Sequence, residues 1–386
     1  MRVTLDRTLF DVQSPPEAVA LVDLLSTAVR DLHGHAMLTD PPYLPGQDNG
    51  PIDVWLNGRN WHEAQAFRTL LTNGLLTAAG PRSAGVSDSS WPRRWHLAGP
   101  LEIRVERRGQ SDWRNRVLTL ADAVDLLSEP VHLVMENAWT ELAFVRHLAG
   151  PTNGTTLQAL LDRPGRVATH GGGSGEAKKW VEALTENPPT SRTWRRMLRT
   201  WVLFDNDAGD LDVRQLSRHA IALIHACESV VAIHGAGLSW VCLRRRELES
   251  YMPDSALHAE APMDRVPFVQ KVISWRSDPS WAPLAWALDL KKGLHGDLVE
   301  SLSQADRTEL KNKKIPLQAH MLKPPFAGLS PGDVSILARG LGEKLGEALR
   351  ATPDRAWTYQ FPAEYDRGPA DQAPRFLFVQ SLFDRM

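Results

Sequence analysis

Five short apolar runs punctuate the middle of the chain: VHLVM at 131–135, RVATH at 166–170, WVLF at 201–204, VVAI at 230–233 and SWVCL at 239–243. Their length and β-branched or aromatic content predict strands. Between them, TELAFVRHLA, GEAKKWVEAL and VRQLSRHAIALIHACES place apolar residues at helical spacing. Continuous apolar strands spaced by helices predict an α/β domain, a mostly parallel sheet covered on both faces. Upstream, SPPEAVALVDLLSTAVRDL reads as a helix with proline near its start, LEIRVERR at 101–108 alternates like a half-buried strand, and TLADAVDLLSE at 119–129 reads as a short helix. Downstream of about 256 the pattern is helix and loop, with VSILARGLGEKLGEALR amphipathic behind the turn-like SPGD. The reading divides the chain into a mixed N-terminal domain (1–128), a sheet domain (129–255) and a mainly helical C-terminal region (256–386). PAEYDRGPADQAP near the end is left open between an ordered loop and an exposed connection.

Composition narrows the classes. A chain of 386 residues with 42% hydrophobic residues and 14 Trp supports more than one sizeable core. The formal net charge of -2 excludes a general polyanion coat, so nucleic-acid contact has to come from local basic patches. Cys227 and Cys242 form no CxxC pair and read as buried, reduced thiols. The start MRVTLDRTLF lacks an apolar signal region and no run reaches 18 apolar residues, so the expectation is a cytoplasmic chain without a membrane span.

Ligands of parallel sheets bind beyond the carboxyl ends of the strands. There VHLVM is followed by Glu136, WVLF by Asp205 and Asp207, and RVATH by the glycine turn Gly171, Gly172 and Gly173. Carboxylates on the tips of buried strands are costly unless a cation binds. An all-oxygen set of Glu136, Asp205 and Asp207 suits Mg²⁺ or Mn²⁺ and suits zinc poorly. GGGSGEAKK resembles a phosphate loop superficially, but Glu176 follows Gly175 where Lys and Ser/Thr are required.

In the order strand–Glu, helix, strand–Gly, helix, strand–DxD, helix, strand, residues 131–250 resemble a Toprim domain, the catalytic module of topoisomerases, primases and OLD-family nucleases. The resemblance implies that Glu136, Asp205 and Asp207 are the metal-binding and catalytic acids. CLRRRELESYMP at 242–253 is similar to the arginine-rich, Glu-x-Tyr segment of Toprim proteins in antiphage systems, which adds Glu249 and Tyr251 beyond the last strand. Asn137 stands where many members have Gly, and Glu141 is spaced differently from their second acid. The function implied is a Mg²⁺-dependent nuclease acting on DNA or RNA in bacterial antiphage defence. Since the chain has no ATPase motif, a partner ATPase or sensor is expected to control it.

The remaining candidates carry two readings each. Asp210 either joins the metal shell or caps the next helix. Glu249 is either a ligand or the partner of the neighbouring arginines. Arg192, Arg195, Arg196 and Arg199 lie at helical spacing, and Arg244, Arg245 and Arg246 follow a strand; each group either tracks a phosphate backbone or lines a solvated face. Lys311, Lys313 and Lys314 form a third cluster. Trp194 reads as core, Tyr251 as packing behind the site, His33 and His35 as a surface loop, and His170 as a structural histidine at the cleft. Two rival functions stay open: a non-catalytic Toprim-shaped scaffold subunit of a defence complex, and a transferase that holds a nucleotide-sugar through a DxD-bound metal, for which Glu136 is unnecessary.

Overall fold

The computed structural model describes residues 1–11, 13–30, 35–78, 85–87, 93–206, 216–235, 237–243, 248–252, 254–294, 304–312, 316–323, 326–342, 345 and 374–383. Its strands are β1 (Arg2–Asp6), β2 (Ala36–Asp40), β3 (Val86–Ser87), β4 (Trp95–Leu97), β5 (Glu102–Val105), β6 (Val117–Leu118), β7 (Val131–Met135), β8 (Val167–His170), β9 (Thr200–Phe204) and β10 (Ser239–Cys242). Helices α1 (Pro15–Arg30), α2 (Pro51–Asn57), α3 (Trp61–Ala78) and α4 (Leu120–Ser128) belong to the N-terminal segment. Around the central strands lie α5 (Ala138–Leu161), α6 (Ser174–Glu182), α7 (Ser191–Leu198) and α8 (Arg218–His234). The C-terminal region contributes α9 (Asp254–Glu260), α10 (Val266–Ser277), α11 (Ala282–Ala287), α12 (Gln304–Lys311), α13 (Pro331–Leu337) and α14 (Pro374–Phe383).

Two sheets form. The smaller runs β2-β1-β5-β6, with every pair parallel. The larger runs β3-β4-β10-β9-β7-β8. Its β8, β7, β9 and β10 are parallel, and β4 closes onto β10 antiparallel. The expectation of a largely parallel sheet flanked by helices is met. The short β3 and β4 come from the N-terminal segment, so the larger sheet reaches back across residue 128.

The run VVAI is a correction: residues 230–233 are the last turn of α8, not a strand. Four consecutive apolar residues fit a buried helix end as well as a strand. Here Ser217 fixes the start of the helix, accepting a hydrogen bond from the Ala220 N–H, and Gly235 ends it at φ 86°. Similar side-chain caps start α4 (Thr119) and α7 (Thr190).

Alternation along the central strands divides the core between two faces. Leu133, Met135, Trp201, Leu203 and Val241 pack with Phe144 and Val145 of α5 and with the C-terminal helices through Phe268, Val272 and Leu337. Val134, Val202, Phe204, Trp240 and Cys242 pack with α6 and α8, and this core continues into the N-terminal segment through Leu126 and Leu127. Burial on both faces explains why β7 and β9 read as unbroken apolar runs. Cys227 and Cys242 are buried thiols, and burial pushes the Cys227 thiol well up. No described helix is long and apolar enough to cross a membrane.

One close approach makes a testable prediction. Helix α3 crosses β2 so tightly that a Cβ on Gly74 would stand 1.8 Å from the Met37 carbonyl oxygen. In an exposed helix Gly→Ala stabilises by about 0.5–1 kcal/mol. At Gly74 the sign reverses: Gly74→Ala is expected to destabilise by about 1–3 kcal/mol, because backbone has to move. Urea denaturation of the variant measures it, and a gain in stability would contradict the packing described.

Candidate metal centre

Glu136 and Asp205 leave the carboxyl ends of neighbouring parallel strands. The last ladder pair between β7 and β9 is Met135 with Leu203. Glu136 follows immediately and Asp205 two residues on. Strand spacing and rise put their backbones roughly 6 Å apart. Both lie past the paired residues, where the pleat no longer dictates side-chain direction. Asp207 and Asp210 lie outside the described residues. The residue between the two acids of the DxD, Asn206, is buried, and its side-chain Oδ1 accepts from the Ser217 N–H at 3.3 Å. That bond joins the residues just beyond β9 to the residue that caps α8.

The glycine turn braces Glu136 from the neighbouring strand. The Gly172 and Gly173 N–H groups both donate to the Glu136 carbonyl oxygen, at 3.2 and 3.0 Å. Gly172 and Gly173 hold φ of 138° and 89°, which side-chain-bearing residues avoid. The turn thus fixes the backbone from which Glu136 projects, while leaving the bound carbonyl unavailable to other donors on that side.

Two further acids stand behind the tip. Glu141 is almost wholly buried and accepts a hydrogen bond from the Asn137 N–H at 2.7 Å. Burial, reinforced by the charges of Glu136 and Glu249, pushes its carboxyl up to about 8 against the hydrogen bonds from Asn137 and Glu136. Glu141 therefore satisfies the exposed N–H groups at the start of α5. Glu249 lies in the 3-10 turn Leu248–Tyr251, buried, with Lys291 Nζ 3.3 Å from its Oε2. Lys291 carried no signal in the sequence. Tyr251 packs against Phe144, ring centroids 5.6 Å apart, behind the site as expected.

Among the described residues, no three His, Cys, Asp or Glu side chains are grouped to hold one ion. Glu249 is accordingly engaged with Lys291 rather than gathered with Glu136 and Asp205. The charges of Glu136 and Glu249 both act on Glu141.

The 192–199 arginines, one of the two groups expected to hold substrate, are elsewhere. Helix α7 and Arg199 precede β9, so they occupy the amino end of the sheet, one strand length of roughly 17 Å from Asp205. Arg195 pairs with Asp125 at 2.9 Å and Glu129 at 3.5 Å, and Arg196 reaches Glu129 at 3.9 Å. Arg199 is 1% exposed and donates from Nε to the Glu129 carbonyl oxygen. Only Arg192 of the four is exposed. The physical reason is local: this group neutralises Glu129 and joins the β7 and β9 entries. Trp194 is core, packed on His234. Arg244, Arg245, Arg246, Lys313, Lys314 and His33 lie outside the described residues, and His35 is buried.

Glu129 also anchors a histidine pair that sequence reading missed. His132 Nε2 lies 2.9 Å from Glu129 Oε1, and His132 Nδ1 lies 3.0 Å from His170 Nε2. His170 stacks on Trp180 at 3.7 Å, and the Arg196 guanidinium lies 5.3 Å from the Trp180 ring centroid. Burial, then the neighbouring His132 and Arg196 charges, lowers His170 to about 4. An unfolded histidine takes its proton near pH 6.5. Above that pH neither state gains a proton, and below it the unfolded chain binds one that the folded chain refuses. Stability is thus lost as pH falls from 6.5 towards 4. Discounted for partial exposure, the loss is roughly 1–2 kcal/mol. His170→Gln is expected to flatten this slope in denaturation midpoints measured across that range; an unchanged slope assigns it to other groups.

Comparison of the chain with known protein families, with curated proteins and with solved structures returns no match in any of the three.

Proposed function

We propose that this chain is a Toprim-like, metal-dependent nuclease that hydrolyses phosphodiester bonds. The observation that carries the reading is the exit of Glu136 and Asp205 from the carboxyl ends of adjacent parallel strands. The order β7–Glu136, α5, β8–glycine turn, α6, α7, β9–Asp205, α8, β10 supports it. Glu136 and Asp205, with Asp207 of the same DxD, would hold Mg²⁺ or Mn²⁺. Such an ion neutralises phosphate charge and lowers the pKa of an attacking water. The chain's own part is to fix Glu136 through the glycine turn and to keep Glu141 and Glu249 occupied by Asn137 and Lys291. In this reading the chain works in the cytoplasm as the effector of an antiphage system, with a partner ATPase or sensor as its trigger.

The test incubates the full chain with supercoiled plasmid, single-stranded DNA and tRNA in Mg²⁺, Mn²⁺ or EDTA. Manganese binding is followed in parallel by the loss of the free-ion electron paramagnetic resonance signal. Metal-dependent cutting is expected. Failure to cut together with failure to bind Mn²⁺ overturns the reading, and tight nucleotide-sugar binding would favour the transferase.

A further inference from the structure

Trp139 is 73% exposed, whereas Trp201 and Trp240 in the sheet beside it are fully buried. It occupies the first turn of α5, three residues past Glu136. Its neighbours Thr140 and Glu141 are buried, so the turn itself is well anchored. Single exposed hydrophobic side chains are ordinary on protein surfaces. The position of this one is not. Among the described residues, the turns that follow β7, β8, β9 and β10 contain no other large exposed hydrophobic side chain.

The surface against the start of α5 is low. Gly171 and Gly172, in the turn that holds the Glu136 carbonyl, are exposed and have no side chains. A Cβ on Gly171 would come within 3.3 Å of the Ala138 nitrogen, so the turn lies directly against the start of α5. Trp139 thus shares the carboxyl-end surface of the sheet with Glu136 and with a turn of bare backbone.

We infer that Trp139 is a stacking platform for an unpaired nucleobase, which makes single-stranded nucleic acid the substrate class; the inference rests on the nuclease reading above. An indole face binds the π-face of any base. Inside a duplex both faces of each base are covered by its neighbours, and the ring has nothing to stack on. In a single strand the faces are free. A protein partner would need a contiguous apolar patch, and Glu136, Asn137 and the glycines supply none.

The experiment uses the full chain and its Trp139→Ala and Trp139→Phe variants. Fluorescence anisotropy measures binding of three labelled probes of equal length with Ca²⁺ present: a thymidine strand, an abasic strand and a duplex. The abasic strand keeps the phosphates and lacks the bases. Cutting of the thymidine strand and the duplex is scored separately with Mg²⁺ or Mn²⁺. The wild type is expected to bind the thymidine strand at least about tenfold more tightly than the abasic strand. Trp139→Ala should bring the two to the same affinity, Trp139→Phe should retain part of the gap, and abasic binding should not change. Melting midpoints should be unchanged, because the ring is exposed. Cutting accompanied by binding that ignores the ring overturns this inference alone, as does duplex binding equal to single-strand binding. Ring-dependent binding without cutting overturns the nuclease reading alone. Binding of no probe overturns both.

Discussion

Asp205→Ala and Glu136→Ala are each expected to reduce metal-dependent cleavage by more than about a hundredfold, since even outer partners of a metal site cost 10–100-fold when removed. The folded state should survive both changes. If the tip carboxylates repel one another as the proposed site requires, without divalent ion the variants are expected to melt at or slightly above the wild-type temperature. Adding Mg²⁺ should reverse the order, because an ion bound only by the folded wild type stabilises it by mass action. Thermal melts of the wild type and Asp205→Ala with and without Mg²⁺ give the crossing directly. Equal Mg²⁺ shifts in both proteins would mean that Asp205 does not hold the ion, and undiminished cleavage would remove it from the mechanism.

The largest stability effect is expected at Trp201. This side chain is fully buried in β9, between the neighbouring central strands, and its Nε1 donates to Ser381 Oγ at 3.1 Å. The bond runs from the sheet to α14, 180 residues later in the chain. Trp201→Ala should cost about 3–5 kcal/mol through the cavity it leaves. Trp201→Phe fills most of the space and removes only the Nε1 donor, so it should cost less, with about 1 kcal/mol from the lost hydrogen bond. Urea denaturation of the two variants reads the difference. A Trp201→Ala cost below about 1 kcal/mol would mean that the C-terminal helix does not depend on this contact.

The central strands were legible because β7, β9 and β10 are buried on both faces and read as largely apolar runs. The strand-end acids were legible for the same reason: a polar residue that ends such a run stands out. VVAI failed because a short apolar run carries no period, and the information that decides it, Ser217 at one end and Gly235 at the other, lies outside the run. Strands β3 and β4 escaped notice because they are two and three residues long, too short for alternation to register. The arginines of α7 were correctly placed on a helix. Their distance from Asp205 was invisible, because five residues of extended chain carry a neighbour in sequence to the far end of a sheet. Lys291 against Glu249, and His170 against His132, are long-range pairings with no local signature.

The N-terminal segment contributes β1 and β2 to one sheet, β3 and β4 to the other, and then returns through β5 and β6 to the first. A chain laced in this way has no severable hinge. Cutting it after residue 128 would strip β4 from β10 and leave β10 as a bare edge, its amide groups open to any passing strand. A fragment carrying every acidic residue of the site would therefore inherit an adhesive border. The N-terminal segment acts as the selvage of the larger sheet, and fragments trimmed to the sheet domain should come out of the cell as aggregates.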